Sequence, residues 1–448
     1  MNILKRITSG SNRSVAVKKN IIGSLIIKGF SILISLLIVP VTLWYVNSEM
    51  YGVWLTLSSI MMWIYFFDVG FTLGLRNKLT EALANNDYIR GKKLVSTTYL
   101  MMISIFFPLC IIFELIIPYL KLSTLLNVNA TYEPQLQITM KLLILFCCLQ
   151  MIVNVISSVI AAYQKVALSS LFSVIGQAIS LIVIYCLTLF YKQSSLAILA
   201  FSISLPPILV TIIASLFLFK YKLRNVSPSL KYFDKSLIKD LFSLGAKFFL
   251  IQFQVIILYQ CTNILISNLS GPEQVTEYNL AYKYLGVIMM IFSLIVGPLW
   301  PAFTDAYTRK DFVWMRGIYK KMVKIFILLA LALILMTIIS PLVFKLWIGD
   351  KAHVSWSMTI IVALYILLYT WDTLQVQMIN GIGAIKLQSY VTLIGLFCHI
   401  PLSLILGNYL GAKGVVLSMS IINSIYILFF TYQINLIINE KGKGIWIA

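Results

Sequence analysis

From Asn20 to Val46 the chain reads NIIGSLIIKGFSILISLLIVPVTLWYV, 27 residues with a single charge, Lys28. A helix needs about 20 apolar residues to cross a hydrocarbon core of roughly 30 Å, so this run is long enough to span a bilayer. It is also far longer than the apolar part of a signal peptide and has no small-residue cleavage site, so the sequence predicts that it is retained as a first span. Eleven further runs of this kind follow, at 51–75, 94–120, 136–163, 166–191, 195–219, 243–270, 274–300, 322–346, 355–380, 384–407 and 412–437. They are continuous rather than alternating with period two, which argues for helices and against a β-barrel.

Composition leads to the same class. The 448 residues are 60% hydrophobic and only 11% charged, with a mean hydropathy of +0.93. A soluble domain carries about 25% charged residues. A chain this apolar cannot cover its surface in water, and lipid must be its solvent. The six cysteines (Cys110, Cys147, Cys148, Cys186, Cys261 and Cys398) all fall inside expected spans with no C-x-x-C pair, so neither a disulfide framework nor a metal site is expected.

Charge orients the chain. With twelve spans both termini share one side. If that side is cytoplasmic, 26 of the 35 Lys and Arg lie in cytoplasmic segments and 5 in the opposite loops. This asymmetry fits the positive-inside rule and accounts for most of the net charge of +20, so nucleic-acid binding is not needed.

The chain also repeats itself. Thr80-Glu81-Ala82 is followed by Asp87-Tyr88, and Thr304-Asp305-Ala306 by Asp311-Phe312, an offset of 224 residues or half the chain. Basic residues follow both: Arg90, Lys92 and Lys93 in one case, Arg316, Lys320 and Lys321 in the other. Tyr51 and Tyr278 both open the preceding span, and Lys165 and Lys386 both sit in a short turn two spans later. The expected organisation is a six-helix lobe over 1–220, a cytoplasmic linker over 221–242 broken by Pro228, and a second six-helix lobe over 243–448. Six spans per half give both halves one orientation, so the expected relation is a pseudo-two-fold along the membrane normal, a common transporter plan.

Ionisable side chains inside a membrane cost roughly 2.5–3.5 kcal/mol each and are candidates for function. Ser24, Lys28, Ser31 and Ser35 follow i, i+4, i+7, i+11 spacing and form one polar stripe on the first span. Asp68 in the second span reaches a depth similar to Lys28, so the two can pair. Asn279 and Lys283 lie one turn apart in the eighth span beside Tyr278, Tyr282 and Tyr284. Gln252, Tyr259 and Asn263 share a face of the seventh, with Lys247 at its cytoplasmic end. Each has a plainer reading: snorkelling for Lys28 and Lys283, an interfacial anchor for Lys247, interhelical hydrogen bonds for the amides. Asp372 stands at a comparable depth in the other half, and His399 stands by itself in its span. No G-x-x-x-x-G-K-[ST] loop is present, so no ATPase is built in.

Several of these segments resemble a known family. Asn47-Ser-Glu-Met-Tyr-Gly-Val-Trp54, Phe67-Asp68-Val-Gly70 and Gly74-Leu-Arg76-Asn77 resemble the N-terminal half of Wzx-type polysaccharide flippases. Gly297-Pro298-Leu-Trp300-Pro301-Ala302-Phe-Thr-Asp305-Ala306 resembles the matching C-terminal segment. The resemblance implies an all-α integral membrane fold shared with multidrug (MATE) and lipid II exporters. It also implies a location in the bacterial cytoplasmic (inner) membrane and a role in O-antigen or lipopolysaccharide assembly. The cargo would be an undecaprenyl-pyrophosphate-linked oligosaccharide, moved by alternating access through a cationic central cavity. Lys28 matches that cavity by type, supported by Lys247 and Lys283. No cofactor is implied; the bilayer is a partner, and other polysaccharide-assembly proteins are candidates. An ion-coupled multidrug antiporter of the same fold stays open as the alternative. A membrane-embedded polymerase or glycosyltransferase fits less well, since no large outer loop is there to hold its catalytic residues.

Overall fold

The computed structural model describes residues 12–64, 68, 70–163, 165–190, 194–242, 261–297 and 299–447; for 12–25, 166 and 301 only the backbone is described. The chain forms two compact units. The first comprises Met1–Val46, Leu57–Thr124 and Asn129–Ile256; the second comprises Asn47–Thr56, Leu125–Val128 and Ile257–Ala448.

The helices are α1 (Asn12–Tyr45), α2 (Ser48–Met61), α3 (Phe71–Ala84), α4 (Tyr88–Ile116), α5 (Leu122–Leu126), α6 (Glu133–Val153), α7 (Val155–Ala162), α8 (Val166–Phe190) and α9 (Leu196–Lys220). After the helical stretch 261–270 come α10 (Pro272–Leu285), α11 (Val287–Val296), α12 (Leu299–Thr308), α13 (Phe312–Ile348), α14 (Trp356–Ile382), α15 (Ile385–Leu410) and α16 (Ala412–Ile438). Nine helical stretches among the described residues are long and apolar enough to cross a membrane, and the bent pair α10–α11 makes ten. The other two expected spans are 51–75 and 243–270. Residues 243–260 lie outside the described residues.

Helix is the only open-ended solution in lipid, because every backbone N–H and C=O must find its partner within the segment. Hydroxyls obey the same rule. Thr42, Thr56, Thr98 and Thr211 each donate to the carbonyl four residues back, at 2.6, 3.0, 2.9 and 2.7 Å.

Three expected spans are not single helices. In 136–163, Asn154 separates α6 from α7, although the stretch still counts as one crossing. In 51–75, α2 stops at Met61, and Gly70 adopts φ 78° immediately before α3. A left-handed residue cannot continue an α-helix, and glycine adopts that conformation without a steric penalty. In 274–300, the axis bends by 44° between α10 and α11, at Gly286. Apolar periodicity reports which segments leave water, not whether their axis is straight. The first helix also starts at Asn12 rather than at residue 20, and α13 runs for 37 residues, about 55 Å at 1.5 Å per residue. Basic segments flanking those spans were expected as loops and are helical instead.

In the first unit α1 packs on α8, α8 on α9, α9 on α6, and α6 and α3 on α4. Small residues permit the close approaches: a Cβ at Gly176 of α8 would lie 2.5 Å from Pro207 Cα of α9. The segment after α9 is a strap on the start of α4. Val226 is fully buried against Gly91, the Ser229 N–H donates to Ser96 Oγ (3.0 Å), and the Asp234 N–H donates to Thr97 Oγ1 (3.1 Å). Lys93 Nζ pairs with Asp234 Oδ2 at 3.0 Å, and Lys92 sits over the Tyr232 ring. The Ser236 hydroxyl and Lys93 hold the Asp234 carboxyl below the usual carboxylate range.

In the second unit α16 packs on α14 and α15, and α10, α12 and α13 all pack on α14. Phe292, Phe303, Met315, Leu374, Met378 and Phe430 form its core. The segment 47–56 belongs here. Thr276 Oγ1 donates to Ser48 O (2.6 Å), and a Cβ at Gly52 would fall on the Pro272 carbonyl oxygen. In the same way Ser267 Oγ donates to Leu126 O at 2.8 Å.

The repeated motif makes the same turn twice. Asn86 (φ 57°) and Lys310 (φ 56°) are left-handed; the next residue, Asp87 or Asp311, donates its N–H to Ala82 O (2.9 Å) or Ala306 O (2.8 Å). The same aspartate then caps the following helix, accepting from Arg90 N (2.9 Å) or Trp314 N (3.0 Å).

Candidate functional site

At about 100° per residue, Ile26, Phe30, Leu33, Leu37 and Trp44 share one face of α1 within about 60°, and all are exposed. An exposed apolar stripe on a spanning helix is the face that suits lipid. Lys28, Ser31 and Ser35 lie on the opposite face, which continues toward the buried Thr42 and Val39. The polar stripe therefore turns away from the lipid-suited side. Ser31 Oγ donates to Gln177 Oε1 of α8 (3.3 Å), and Gln177 in turn donates to Ser173 Oγ (3.3 Å). Lys28 is exposed on this face and makes no ion pair or hydrogen bond among the described residues. Gln177 escaped the sequence reading because its partner helix was not identifiable there.

Asp68 does not supply the expected partner for Lys28. It lies in the break before α3, where its carboxylate accepts from Thr72 N (3.2 Å) and Thr72 Oγ1 (2.5 Å). It satisfies a donor at a helix start, as short polar residues do there.

In the second unit two expected residues meet. Asn279 Nδ2 donates to Asn263 Oδ1 at 2.9 Å and to Val275 O at 2.8 Å. Asn263 Nδ2 reaches Leu55 O at 3.5 Å. Lys283, one turn beyond Asn279, is half-buried and has no ion pair or hydrogen bond among the described residues. A lysine held out of water without an acceptor favours any anion that arrives. Beside it run four tyrosines, with ring centroids 5.8 Å apart for Tyr278–Tyr282, 6.3 Å for Tyr282–Tyr365 and 5.9 Å for Tyr365–Tyr369. Lys247, Gln252 and Tyr259 lie outside the described residues.

Two further oxygens stand out. Asp372 Oδ1 and Gln375 Oε1, on one face of α14, are buried without a hydrogen-bond partner among the described residues. His399, also buried in that unit, has Nδ1 3.4 Å from Ser403 Oγ. No group of three or more His, Cys, Asp or Glu suited to a metal occurs among the described residues.

A family described as polysaccharide biosynthesis protein matches residues 17–307, well over half of the chain. The chain belongs to this family. A Yersinia pseudotuberculosis protein named for O-antigen export is 22% identical over 394 residues, covering 86% of each chain. Solved structures share the fold at lower identity. A multidrug-resistance MATE transporter in its inward-facing conformation aligns with TM-score 0.76 at 15% identity, over 91% of this chain and 96% of that one. The lipid II flippase MurJ aligns with TM-score 0.62 at 17% identity, over 92% and 87%. The fold expected from the sequence, an all-helical membrane protein of the multidrug and lipid II exporter type, is the fold observed.

Proposed function

We propose that this member of the polysaccharide biosynthesis family is a flippase that turns a lipid-linked oligosaccharide from the cytoplasmic to the outer leaflet of a bacterial inner membrane, with undecaprenyl pyrophosphate as the carrier. The observation that carries this reading is the face of α1 that presents Lys28, Ser31 and Ser35 away from the lipid-suited stripe. A pyrophosphate leaving water needs a cation that is not already neutralised, and Lys28 is one. Lys283 is a second, set beside the Asn263–Asn279 amide pair and the tyrosines, groups whose hydrogen bonds and flat faces suit sugar rings. The polyprenyl tail needs no protein lining and stays in lipid. The protein performs no bond chemistry: it offers a polar path and changes which side of the membrane that path opens to. The six-span lobes, the linker between them and a pseudo-two-fold along the membrane normal belong to this reading, as do other assembly proteins as partners.

Cells that lack the protein should accumulate the lipid-linked precursor on the cytoplasmic face and lose the surface polysaccharide, and the cloned gene should reverse both. Loss of surface polysaccharide without accumulated precursor would instead place the protein in synthesis. The orientation is tested separately. Reporter fusions at Lys231 and Lys351 should report the cytoplasmic and the periplasmic side respectively, and a shared side would overturn the topology.

A further inference from the structure

The strap that follows α9 has two sides. Its inner side is fastened to the start of α4 by Val226, Ser229, Tyr232 and Asp234, as described above. Its outer side carries Leu230 and Phe233, exposed by 76% and 44%. Leu230 opens a single 3₁₀ turn, Leu230–Tyr232, and Phe233 follows it; residues three apart in such a turn project to the same side. Ile89, on the first turn of the helix that holds the strap, is exposed by 66%. Interleaved with these apolar groups are exposed Lys222, Arg224, Lys231, Lys235 and Lys239, none in an ion pair among the described residues. The single carboxylate that fastens the strap, Asp234, is already taken by Lys93 and Ser236.

This is a fixed apolar ridge set among five exposed basic residues, with Asp234 and Asp240 the acidic residues of the same segment, so positive charge is in excess at the end of a membrane-spanning helix that closes at Lys220. A water-facing linker gains nothing from Leu230 and Phe233 pointing outward. A phospholipid surface takes both features at once: apolar side chains enter the boundary of the acyl chains while the ammonium and guanidinium groups meet phosphates. The occupant that matches in charge is an anionic headgroup.

We propose that residues 221–239 form a rigid interfacial anchor that inserts Leu230 and Phe233 into the membrane surface and binds anionic phospholipid headgroups through Lys231, Lys235 and Lys239. Because α4 clamps the strap, the anchor registers the first unit against the bilayer at a set depth and does not act as a slack connection. The proposal is independent of what the protein carries, and its test involves no transport.

The test uses the full chain in nanodiscs of phosphatidylcholine, with or without about a third phosphatidylglycerol. A nitroxide is placed at Leu230→Cys, Phe233→Cys or, as an aqueous reference, Asn85→Cys, with Cys110, Cys186 and Cys398 replaced by alanine. Collision with oxygen relative to a water-soluble nickel chelate should be several-fold higher at 230 and 233 than at 85, and should rise further with phosphatidylglycerol. A second measurement needs no label. Phosphatidylglycerol retained by the purified protein, counted by native mass spectrometry, should fall in a Lys231→Gln, Lys235→Gln, Lys239→Gln variant. Each lysine removed should weaken retention about fivefold. Water-like collision ratios at 230 and 233 overturn the insertion, and unchanged lipid retention in the triple variant overturns the recognition of anionic headgroups.

Discussion

Replacing Lys28 with alanine should abolish surface polysaccharide and cause lipid-linked precursor to accumulate, while the protein still reaches the membrane in normal amount. Lys28 is exposed on the polar face of α1 and engages no described carboxylate, so its removal breaks nothing that holds the fold. What is lost is the charge offered to the pyrophosphate. Removing one member of a desolvated charge pair costs about 2–5 kcal/mol, so export should fall at least about thirtyfold. Lys28→Arg keeps the charge and should retain part of the activity. An alanine variant that exports normally would leave Lys28 as a lysine that snorkels to the membrane surface, and Lys283 as the cation to test.

Replacing Gly52 with leucine should have the opposite signature: little folded protein at all. A Cβ at Gly52 would occupy the Pro272 carbonyl oxygen, a backbone atom that cannot swing aside. α2 and α10 would have to part, and the Thr276 to Ser48 hydrogen bond would go with them. Overpacking of a fitted contact costs about 1–3 kcal/mol even where side chains can yield, so a backbone clash should reach or pass the upper value. Gly29 provides the control, since a Cβ there meets nothing within 4 Å, and Gly29→Ala should fold as the parent does. The comparison is read as membrane-extracted, monodisperse protein and its melting temperature. Equal yields for the two variants would show that α2 and α10 do not approach as described.

Much of this was legible in the residues. Apolar length decides which segments enter lipid, so most span positions followed from it. The recurrence of Asp87 at Asp311 was visible as a spacing, but that both make the same turn and cap the next helix took the backbone to show. The break before α3 was harder to see: Gly70 is one of 22 glycines, and only its φ distinguishes it. The site was half legible. Periodicity alone put Lys28, Ser31 and Ser35 on one face and Asn279 a turn from Lys283. It could not supply partners across helices, so Gln177 went unseen and Asp68 was assigned to Lys28 when a local threonine holds it. Depth along a helix says how far a group lies from water, not which neighbour it meets.

The two fastenings described for this chain differ in when they can form. Every partner of the strap, from Gly91 to Thr97, has already left the ribosome when residues 224–236 are made, so the first unit can close its own clasp at once. The segment 47–56 has no such luck: Ser48 and Gly52 must wait for Pro272 and Thr276. At 5–20 residues per second that delay is about 11–46 s, during which the start of α2 is inserted without its final neighbour. Nascent chains halted before residue 272 should therefore hold a finished strap and an unfinished α2, the state that a membrane chaperone or protease would meet first.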